Sequence, residues 1–476
     1  MPQLPELLSE ATVTIGGKEA PAAATFEVVN PATEEVLGAA PAVSAEQLDA
    51  AVTSAHEAFG AWRRDEDARR AALVAAAGVL EANAAGLAAL VTAEQGKPLH
   101  EATMEIYGAG YWLRYYASLG LPAEVVQDDE NGFAEIHRRP LGVVAAITAW
   151  NFPVMLAFTK AAPALRAGNT VVVKPSPYTP LATLAAGALL RGILPDGVLN
   201  VISGPDPLGA ALTAHPLVRK VSFTGSTATG KKIAQSAASD LKRLTLELGG
   251  NDPAVILPGT DISKIAADVF SGGFLNNGQT CAAIKRVYAH ESQYDDVVAA
   301  LAEIARQVKV GEGNEEGVQY GPLISRPQLE RVAGLVADAV SNGAQVAAGG
   351  QLMPRPGYFY QPTILAGLSD GAAIVDEEQF GPALPVIAYQ TVPDAVDRAN
   401  HTHFGLTASV WADDPAAAAR VAAEIDAGQV SVNGHATGGR ADLPFGGHKW
   451  SGIGVENGPL GLHSFTETQV ITGPRR

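Results

Sequence analysis

The sequence predicts an α/β protein of two lobes, each built on a mostly parallel sheet covered by helices. Strand-like and helical segments alternate from Val143 to Leu248, and they alternate again from about Asn251 to Trp450. Of the 476 residues, 47% are hydrophobic and 17% are charged, which is typical of globular chains and not of disordered ones. No Pro-, Gly- or Ser-rich linker separates the two halves, so we expect the lobes to meet along a cleft.

The segment before the first lobe is predicted to be helical. From Ser44 to about Leu119, Ala-, Leu- and Glu-rich stretches follow a capping pattern at Ser44, and Gly96-Lys97-Pro98 separates two of the helices. Residues Pro122 to Arg139 place apolar residues on either side of an acidic turn, Asp128 to Gly132, and therefore predict a β-hairpin.

Within the first lobe, five apolar runs predict strands at Val143–Thr148, Thr170–Lys174, Val198–Ser203, Lys220–Gly225 and Leu244–Leu248. The helices between them are predicted to start near Val154, Pro180, Pro207 and Thr227. The second lobe is predicted to hold strands at Ala254–Leu257 and near Ala344–Ala348, Val386–Ala388 and Val430–Asn433, with helices from Ile262 and Tyr294. Ligands of such folds bind at the carboxyl ends of the parallel strands.

Charge and cysteine content exclude several classes of function. Lys and Arg total 33 against 50 Asp and Glu, a net charge of −17, which disfavours nucleic acid and anionic membrane as partners. We find no signal peptide and no apolar run of about 18 residues, and we expect a soluble, cytoplasmic protein. Cys281 is the one cysteine, so intrachain disulfides and multi-cysteine metal sites are excluded, and we expect no metal.

The motif Gly225-Ser-Thr-Ala-Thr-Gly230-Lys231 joins a predicted strand to a predicted helix, where backbone N–H groups bind phosphate readily. It is not an ATPase P-loop, because Lys232 stands where that loop has its magnesium-binding hydroxyl. An ordinary glycine-rich turn is the alternative.

Four polar side chains stand at places where either chemistry or plain structure would explain them. Cys281, after the glycine-containing segment Asn276 to Thr280, is either a buried small residue or a nucleophile. Glu247 ends an apolar strand, either as a general base or as half of a salt bridge. Asn151 follows a strand, either as an oxyanion donor or as a turn residue, and Lys174 either reaches a ribose or phosphate or lies on the surface.

Together, seven motifs resemble the aldehyde dehydrogenase superfamily in order and spacing. They are Ala149-Trp-Asn-Phe-Pro153, Val172-Val-Lys-Pro-Ser176, Phe223-Thr-Gly-Ser226, Glu247-Leu-Gly-Gly250, Gly278-Gln-Thr-Cys281, Glu377-Glu-Gln-Phe-Gly-Pro382 and Pro444-Phe-Gly-Gly447. The resemblance implies a Rossmann-like cofactor domain at 1–121 and 140–249, and a catalytic domain at 250–450. It also implies an oligomerisation element at 122–139 and 460–476, in a homodimer or homotetramer.

The resemblance implies a covalent mechanism. Cys281 would attack the aldehyde, Asn151 would hold the oxyanion with the Cys281 backbone N–H, and Glu247 would activate the water that hydrolyses the thioester. Lys160 and Glu456 match a proton path behind Glu247, although a simple ion pair would equally explain them.

For the cofactor, the resemblance assigns Lys174 to the adenine ribose, Ser226 to the pyrophosphate, and Glu378 and Phe380 to the nicotinamide ribose. Further positions expected to line the dinucleotide are Thr148, Ala149, Trp150, Ser176, Pro177, Gly204, Gly209, Gly225, Leu248 and Gly249. Pro177 stands where many NAD-preferring relatives carry Glu, so NAD is favoured and NADP is possible.

The substrate pocket is expected to be lined by Phe152, Leu156, Thr159, Thr280, Ala282 and Phe445. Thr159 stands where succinate-semialdehyde relatives carry Arg, which argues against a semialdehyde unless Arg440 replaces that Arg. The loop Asn433 to Asp442 is small and polar where aromatic residues often narrow the site. Val455 stands where relatives commonly carry Arg, and nothing in the sequence explains this difference.

Three rival functions differ in testable ways. Relatives that release the thioester with CoA generally lack the deacylating Glu, so Glu247 favours hydrolysis. A catalytically silent scaffold would not be expected to keep Cys281, Glu247 and Asn151 together. A thiol hydrolase would work without nicotinamide.

Overall fold

The structure, a computed structural model, describes residues 8–436 and 439–475. Within these residues the strands, numbered in chain order, are β1 Val13–Ile15, β2 Lys18–Ala20, β3 Ala24–Val29, β4 Val36–Ala42, β5 Glu124–Asp129, β6 Gly132–Pro140, β7 Val143–Ile147, β8 Thr170–Lys174, β9 Leu199–Val201, β10 Val218–Thr224, β11 Arg243–Glu247, β12 Asp252–Ile256, β13 Ile284–His290, β14 Gln345–Ala348, β15 Thr363–Leu368, β16 Ala383–Tyr389, β17 Thr407–Trp411, β18 Gln429–Val432, β19 Gly452–Ile453 and β20 Thr466–Gly473.

The α-helices of the same residues are α1 Ala45–Trp62, α2 Glu66–Ala82, α3 Ala84–Gln95, α4 Leu99–Ser118, α5 Pro153–Arg166, α6 Leu181–Leu189, α7 Leu208–Ala214, α8 Thr227–Ala238, α9 Ile262–Phe274, α10 Tyr294–Gln307, α11 Arg326–Ser341, α12 Ala373–Asp376, α13 Val392–Asn400, α14 Pro415–Ala422 and α15 Gly458–His463. None of them is by itself long and apolar enough to span a membrane; α2 and α3 pass that test only as a pair bent by 69°.

An eight-stranded sheet has the order β19-β11-β10-β7-β8-β9-β1-β2. Its five central strands, β11 to β9 in that order, are parallel, and the edge strands β19, β1 and β2 are antiparallel to their neighbours. The strand order reverses between β7 and β10, and a ligand crevice is expected at the carboxyl ends of strands at such a switch point. Asn151 follows β7, and Ser226 follows β10.

A seven-stranded sheet has the order β14-β15-β16-β13-β12-β17-β18, with only β14 antiparallel to its neighbour. Both faces are buried, because alternate residues of β12 enter separate apolar clusters: Val255 packs into one, and Ala254 and Ile256 into the other. Such double burial explains why this strand is apolar throughout and does not alternate with polar residues.

The predicted hairpin, β5 and β6, joins the C-terminal strand β20 in a third, antiparallel sheet of order β20-β6-β5. β20 pairs with β6 along its whole length, with Val470 opposite Ile136. Val125, Val126 and Val470 are exposed on this sheet. The strands are confirmed, while the oligomerisation role stays a prediction.

The five strands predicted for the first lobe are confirmed, with ends within two residues of those observed. The predicted helical region is confirmed as α1 to α4, with a capping box between Ser44 and Gln47 and with Gly96 ending α3 at φ 96°. Strands β1 to β4 were not predicted. β1 and β2 have only three residues each, and the exposed Lys18–Ala20 shows no apolar alternation. The domain boundaries stay predictions, and their residues 1–7 and 476 lie outside the described residues.

Candidate active site

Asn151 is buried just beyond β7, with 3% of its surface exposed. Its main-chain oxygen accepts hydrogen bonds from Lys97 Nζ at 2.7 Å and Asn276 Nδ2 at 3.0 Å. Its side-chain Nδ2 donates to the Gln279 carbonyl at 3.1 Å, and Oδ1 has no partner in the part of the chain that the structure describes. The amide therefore lies against the segment that leads to Cys281.

Cys281 follows a turn in which Asn276, Asn277 and Gly278 have φ of 51°, 57° and 74°. Gly278 is required there, because a Cβ on it would lie 2.3 Å from the Gly381 carbonyl oxygen. Lys285 Nζ donates to the Thr280 carbonyl at 2.6 Å and so holds the turn from behind. The turn leaves Cys281 partly exposed, as a reactive thiol requires.

Burial raises the pKa of the Cys281 thiol to about 12, and the nearby carboxylates of Glu378, Glu247 and Asp252 add to this shift. Lys285 opposes it. The resting group is therefore a neutral thiol at physiological pH, and its proton has to leave as the sulfur forms a bond.

Glu247 ends β11, is 3% exposed, and has no hydrogen-bond partner for either carboxylate oxygen among residues 8–436 and 439–475. Burial raises its pKa well above the ordinary value, the charge of Glu456 raises it further, and Lys160 opposes both. An unpaired buried carboxylate costs several kcal/mol if it stays ionised. A group in this position is available both to hold and to accept a proton.

A buried ion pair lies behind Glu247, with Lys160 Nζ at 2.5 Å from Glu456 Oε1. Ser222 Oγ also donates to Glu456 Oε1, at 3.2 Å. Both main-chain polar groups of Glu456 bond to Phe445, with N–O distances of 2.8 and 2.7 Å. The structure thus brings Lys160 and Glu456 together and connects them to a residue expected in the substrate pocket.

The expected cofactor residues surround the crevice at the carboxyl ends of β7, β8 and β10. Lys174 ends β8, where burial lowers the pKa of its ammonium group, and Ser226 caps α8 by accepting from Thr229 N. The hydroxyls of Thr148 and Thr224 are buried here without a partner in the described chain. Unpartnered hydroxyls beside a helix N-terminus suit a phosphate-bearing ligand.

Two glycines on the same side of the crevice let the backbone pack closely against side chains. A Cβ on Gly225 would lie 2.4 Å from the Phe223 ring, and one on Gly249 would lie 2.4 Å from Glu378 Oε2. Glu378 Oε1 accepts from Gly250 N at 3.1 Å. These positions fit a dinucleotide lying across the strand ends.

The two sheets meet at this crevice. The ring of Phe380, which has φ 52°, packs edge to face on Trp150 at 5.2 Å. Leu248 and Ser176 are buried. Ala149, Pro177 and Gly204 follow β7, β8 and β9, and Gly209 lies in the first turn of α7. A Cβ on Gly209 would be only 3.8 Å from the Lys174 side chain.

Several residues expected to line the substrate pocket form hydrogen bonds or ring contacts with neighbouring groups of the protein. Thr159 Oγ1 donates to the Leu156 carbonyl at 3.0 Å, and Thr280 Oγ1 donates to the Leu275 carbonyl at 3.1 Å. The Phe152 ring centroid is 3.7 Å from Lys97 Nζ. These contacts leave little freedom to the side chains that would surround a substrate.

In the loop Asn433 to Asp442, Arg440 binds Asp442 with both a 2.7 and a 2.5 Å hydrogen bond. Thr437 and Gly438 of that loop lie outside the described residues. Arg440 is therefore already paired, which weakens its candidacy as a carboxylate receptor.

Several residues that contact the site were missed from the sequence. Lys285 lies behind Cys281, Lys97 and Glu105 lie behind Asn151, and His435 lies 2.9 Å from the Ala282 carbonyl. Burial lowers the pKa of His435 to about 3, so it is neutral and donates through Nε2. The sequence offers one local signal for these residues: Lys285 directly follows Ile284, the apolar first residue of its strand.

Lys220 was also missed. It is buried on β10, its Nζ donates to Thr245 Oγ1 at 2.6 Å, and burial lowers its pKa to about 7. The charge of Glu456 opposes that shift, so Lys220 belongs to the polar interior behind Glu247.

Comparison with known proteins gives a consistent result. The model of the aldehyde dehydrogenase family matches residues 19–471. The phenylacetaldehyde dehydrogenase of Pseudomonas fluorescens is 39% identical, over 99% of this chain and 97% of that protein. The NADP-dependent succinate-semialdehyde dehydrogenase of Escherichia coli strain K12 is 37% identical, over 94% of each.

Among solved structures, the NAD⁺ complex of aldehyde dehydrogenase from Bacillus cereus is 36% identical with a TM-score of 0.96, and the match covers 100% of this chain and 99% of that one. The likeness thus extends over both large sheets and is not limited to a cofactor-binding fold. The chain therefore belongs to the aldehyde dehydrogenase family, an NAD(P)-dependent group of enzymes that oxidise aldehydes to carboxylic acids.

Proposed function

We propose that Cys281 and Glu247 carry out this oxidation in two stages, through a thioester that water hydrolyses. The observation that carries the proposal is the carboxylate of Glu247, which is buried and unpartnered within the described residues and is close enough to Cys281 to raise the pKa of its thiol. Neither a salt bridge nor a structural hydrogen bond accounts for that carboxylate.

In the first stage, the S–H proton of Cys281 passes to solvent water as the sulfur bonds to the carbonyl carbon, and the C=O π electrons become the oxyanion. The Asn151 amide and the Cys281 backbone N–H donate to the oxyanion that forms. NAD(P), when bound, supplies the acceptor for the hydride that leaves this carbon. Cys281 is left as a thioester of the acid.

In the second stage, Glu247 takes a proton from water, and the hydroxide adds to the thioester carbon. The thiolate leaves and the carboxylic acid is released. The Lys160–Glu456 pair sets the charge next to Glu247, which supports its assignment to the path by which the proton departs.

For the substrate, we propose an aldehyde without a distal carboxylate. Thr159 replaces the Arg expected of succinate-semialdehyde relatives, and Arg440 is engaged by Asp442. For the cofactor, NAD is favoured, and the absence of a carboxylate at Pro177 leaves NADP open.

The sheet of β5, β6 and β20 is proposed to pair protomers into a homodimer or homotetramer. Its exposed Val125, Val126 and Val470 support this, because isolated apolar side chains on a strand edge favour association. Light scattering of the purified protein would give the number of protomers. A cytoplasmic location stays a prediction.

The reaction is tested by following cofactor reduction with aliphatic, aromatic and carboxylated aldehydes, with NAD and NADP in separate runs. We expect turnover with uncharged aldehydes and none with Cys281→Ala. Turnover only when CoA is added would identify an acylating enzyme instead. Activity in the absence of both NAD and NADP would identify a thiol hydrolase. Turnover retained by Cys281→Ala would overturn the role of Cys281 as the nucleophile.

A further inference from the structure

Lys97 and Glu105 form a buried ion pair next to Asn151. Lys97 lies in the turn between α3 and α4 and is 1% exposed, and Glu105 on α4 is 3% exposed. Lys97 Nζ is 2.6 Å from Glu105 Oε2 and 2.7 Å from the Asn151 carbonyl oxygen. The Phe152 ring lies on its remaining side. The ammonium group is therefore held from three directions.

Glu105 also fixes the start of α5, the helix that follows Asn151. Its Oε1 accepts from Val154 N at 2.9 Å and from Met155 N at 3.2 Å. These are the first available N–H groups of α5, because the helix begins with Pro153, which has none. A carboxylate in this place also interacts favourably with the helix dipole.

The Asn151 carbonyl oxygen connects three segments of chain. It accepts from Lys97 before α4 and from Asn276 in the turn before Cys281, while Asn151 itself begins the entry to α5. Its position thereby sets the distance between the Asn151 amide and the nucleophile. Misplacing a catalytic group by 1 Å can cost about 10²-fold in rate.

We propose that Lys97 and Glu105 are positioning residues, which act through Asn151 to hold its amide where the oxyanion forms. The proposal rests on the oxyanion role given to Asn151 above. Stability alone does not account for the pair, because buried ion pairs often contribute no more than apolar residues of the same size. Lys97 instead donates directly to the main-chain oxygen of Asn151, and Glu105 holds both Lys97 and the start of α5.

A double-mutant cycle tests the proposal, using the full-length enzyme. Asn151→Ala is expected to lower kcat by about 10²- to 10³-fold, the usual cost of losing one oxyanion donor. Lys97→Met is expected to lower kcat by roughly 10- to 100-fold while KM changes little, because the oxyanion is absent from the ground state. In the double variant the losses should not multiply, and kcat should stay within about twofold of Asn151→Ala.

A second pair of variants covers a failure of Lys97→Met to fold. Glu105→Gln keeps the shape of the side chain and removes its charge, so it should show the same non-additivity with Asn151→Ala. Lys97→Arg keeps a charged donor and should restore part of kcat. The alkylation rate of Cys281 and the affinity for NAD should stay near wild type in all of these variants.

Lys242 supplies the matched control. It too is buried and donates to two carbonyl oxygens, of His215 and Val218, but at the amino ends of β10 and β11, away from the site. Lys242→Met should lower thermal stability without lowering kcat at temperatures where the protein is folded.

The outcomes separate the inference from the proposed function. Multiplied losses, or a fall in kcat for Lys242→Met as large as for Lys97→Met, would overturn the positioning role alone. Wild-type kcat in Asn151→Ala would overturn the role of Asn151 and, with it, the inference.

Discussion

Glu105 and Glu247 are equally buried, but only one of them is paired. Glu105 accepts from Lys97 Nζ and from two backbone N–H groups, so its hydrogen-bonding capacity is largely used. Glu247 has no hydrogen-bond partner within the described residues, although Lys160 and Glu456 lie near enough to shift its pKa. The difference shows how one site uses the same side chain in two ways: a paired carboxylate fixes geometry, and an unpaired one stays free for proton transfer.

A buried carboxylate without a partner is energetically costly, and the raised pKa of Glu247 reduces this cost by favouring the neutral acid. A raised pKa keeps Glu247 protonated to higher pH and so reduces the penalty of a buried charge. Functional sites collect such groups because a base with a raised pKa is closer to the pH at which it works. Changes to these two glutamates and to the charges around Glu247 test whether the contrast is real.

The largest expected effect belongs to Glu247→Gln. Steady-state turnover should fall by about 10²- to 10⁴-fold, the usual contribution of a general base. Rapid mixing should still show one equivalent of reduced cofactor per active site, because the first stage does not require Glu247. Loss of that burst together with turnover would assign Glu247 to the first stage and contradict the proposed division of labour.

The same two glutamates should differ in stability when each is changed to Gln. Glu105→Gln should lower the unfolding free energy by about 3–5 kcal/mol, because it leaves the buried Lys97 ammonium without its anion. Glu247→Gln should not lower it, because it leaves no partner unpaired. Urea unfolding at pH 8 measures both, and equal losses would erase the contrast.

The difference in stability between wild type and Glu247→Gln should depend on pH in a definite direction. The folded protein holds a proton on Glu247 above the ordinary pKa of 4.5, where the unfolded chain has lost it. Wild-type stability therefore falls as pH rises from that value toward the raised folded pKa, and Glu247→Gln removes the fall. A wild-type stability that rises with pH over this range, relative to that of Glu247→Gln, would contradict the raised pKa.

Smaller and opposite effects are expected from the pair behind Glu247. Glu456→Gln removes a charge that raises the pKa of Glu247, so the alkaline rise in turnover should move toward acid. Lys160→Met removes a charge that lowers it, so the rise should move toward alkali. Profiles of kcat against pH decide this, and shifts in the same direction would exclude simple electrostatic control.

The smallest effect concerns a carboxylate that is missing altogether. Pro177→Glu should raise the preference for NAD over NADP by about tenfold, because a charge beside the adenine ribose repels a 2′-phosphate at a cost near 1.4 kcal/mol. The ratio of kcat/KM for the two cofactors measures it. An unchanged ratio would place Pro177 outside the reach of the ribose.

The residues predicted from sequence are those with strong local signals. Cys281 and Glu247 stand near glycines in short motifs, and the strand that ends at Glu247 is apolar enough to predict. Cys281 lies in the turn before β13, a strand that was not predicted. Lys97 was noticed only as part of a turn, because its partners lie 8 and 54 positions away and only folding brings them together. Lys285, His435 and Lys220 were missed for the same reason: their burial and their shifted pKa values arise from packing between elements.

The reciprocal hydrogen bonds between Phe445 and Glu456 have a consequence for selectivity. An aldehyde whose tail pushes Phe445 outward also displaces the backbone of Glu456, and with it the charge that tunes Glu247. Substrate size would then affect two steps, the binding of the aldehyde and the release of the acid.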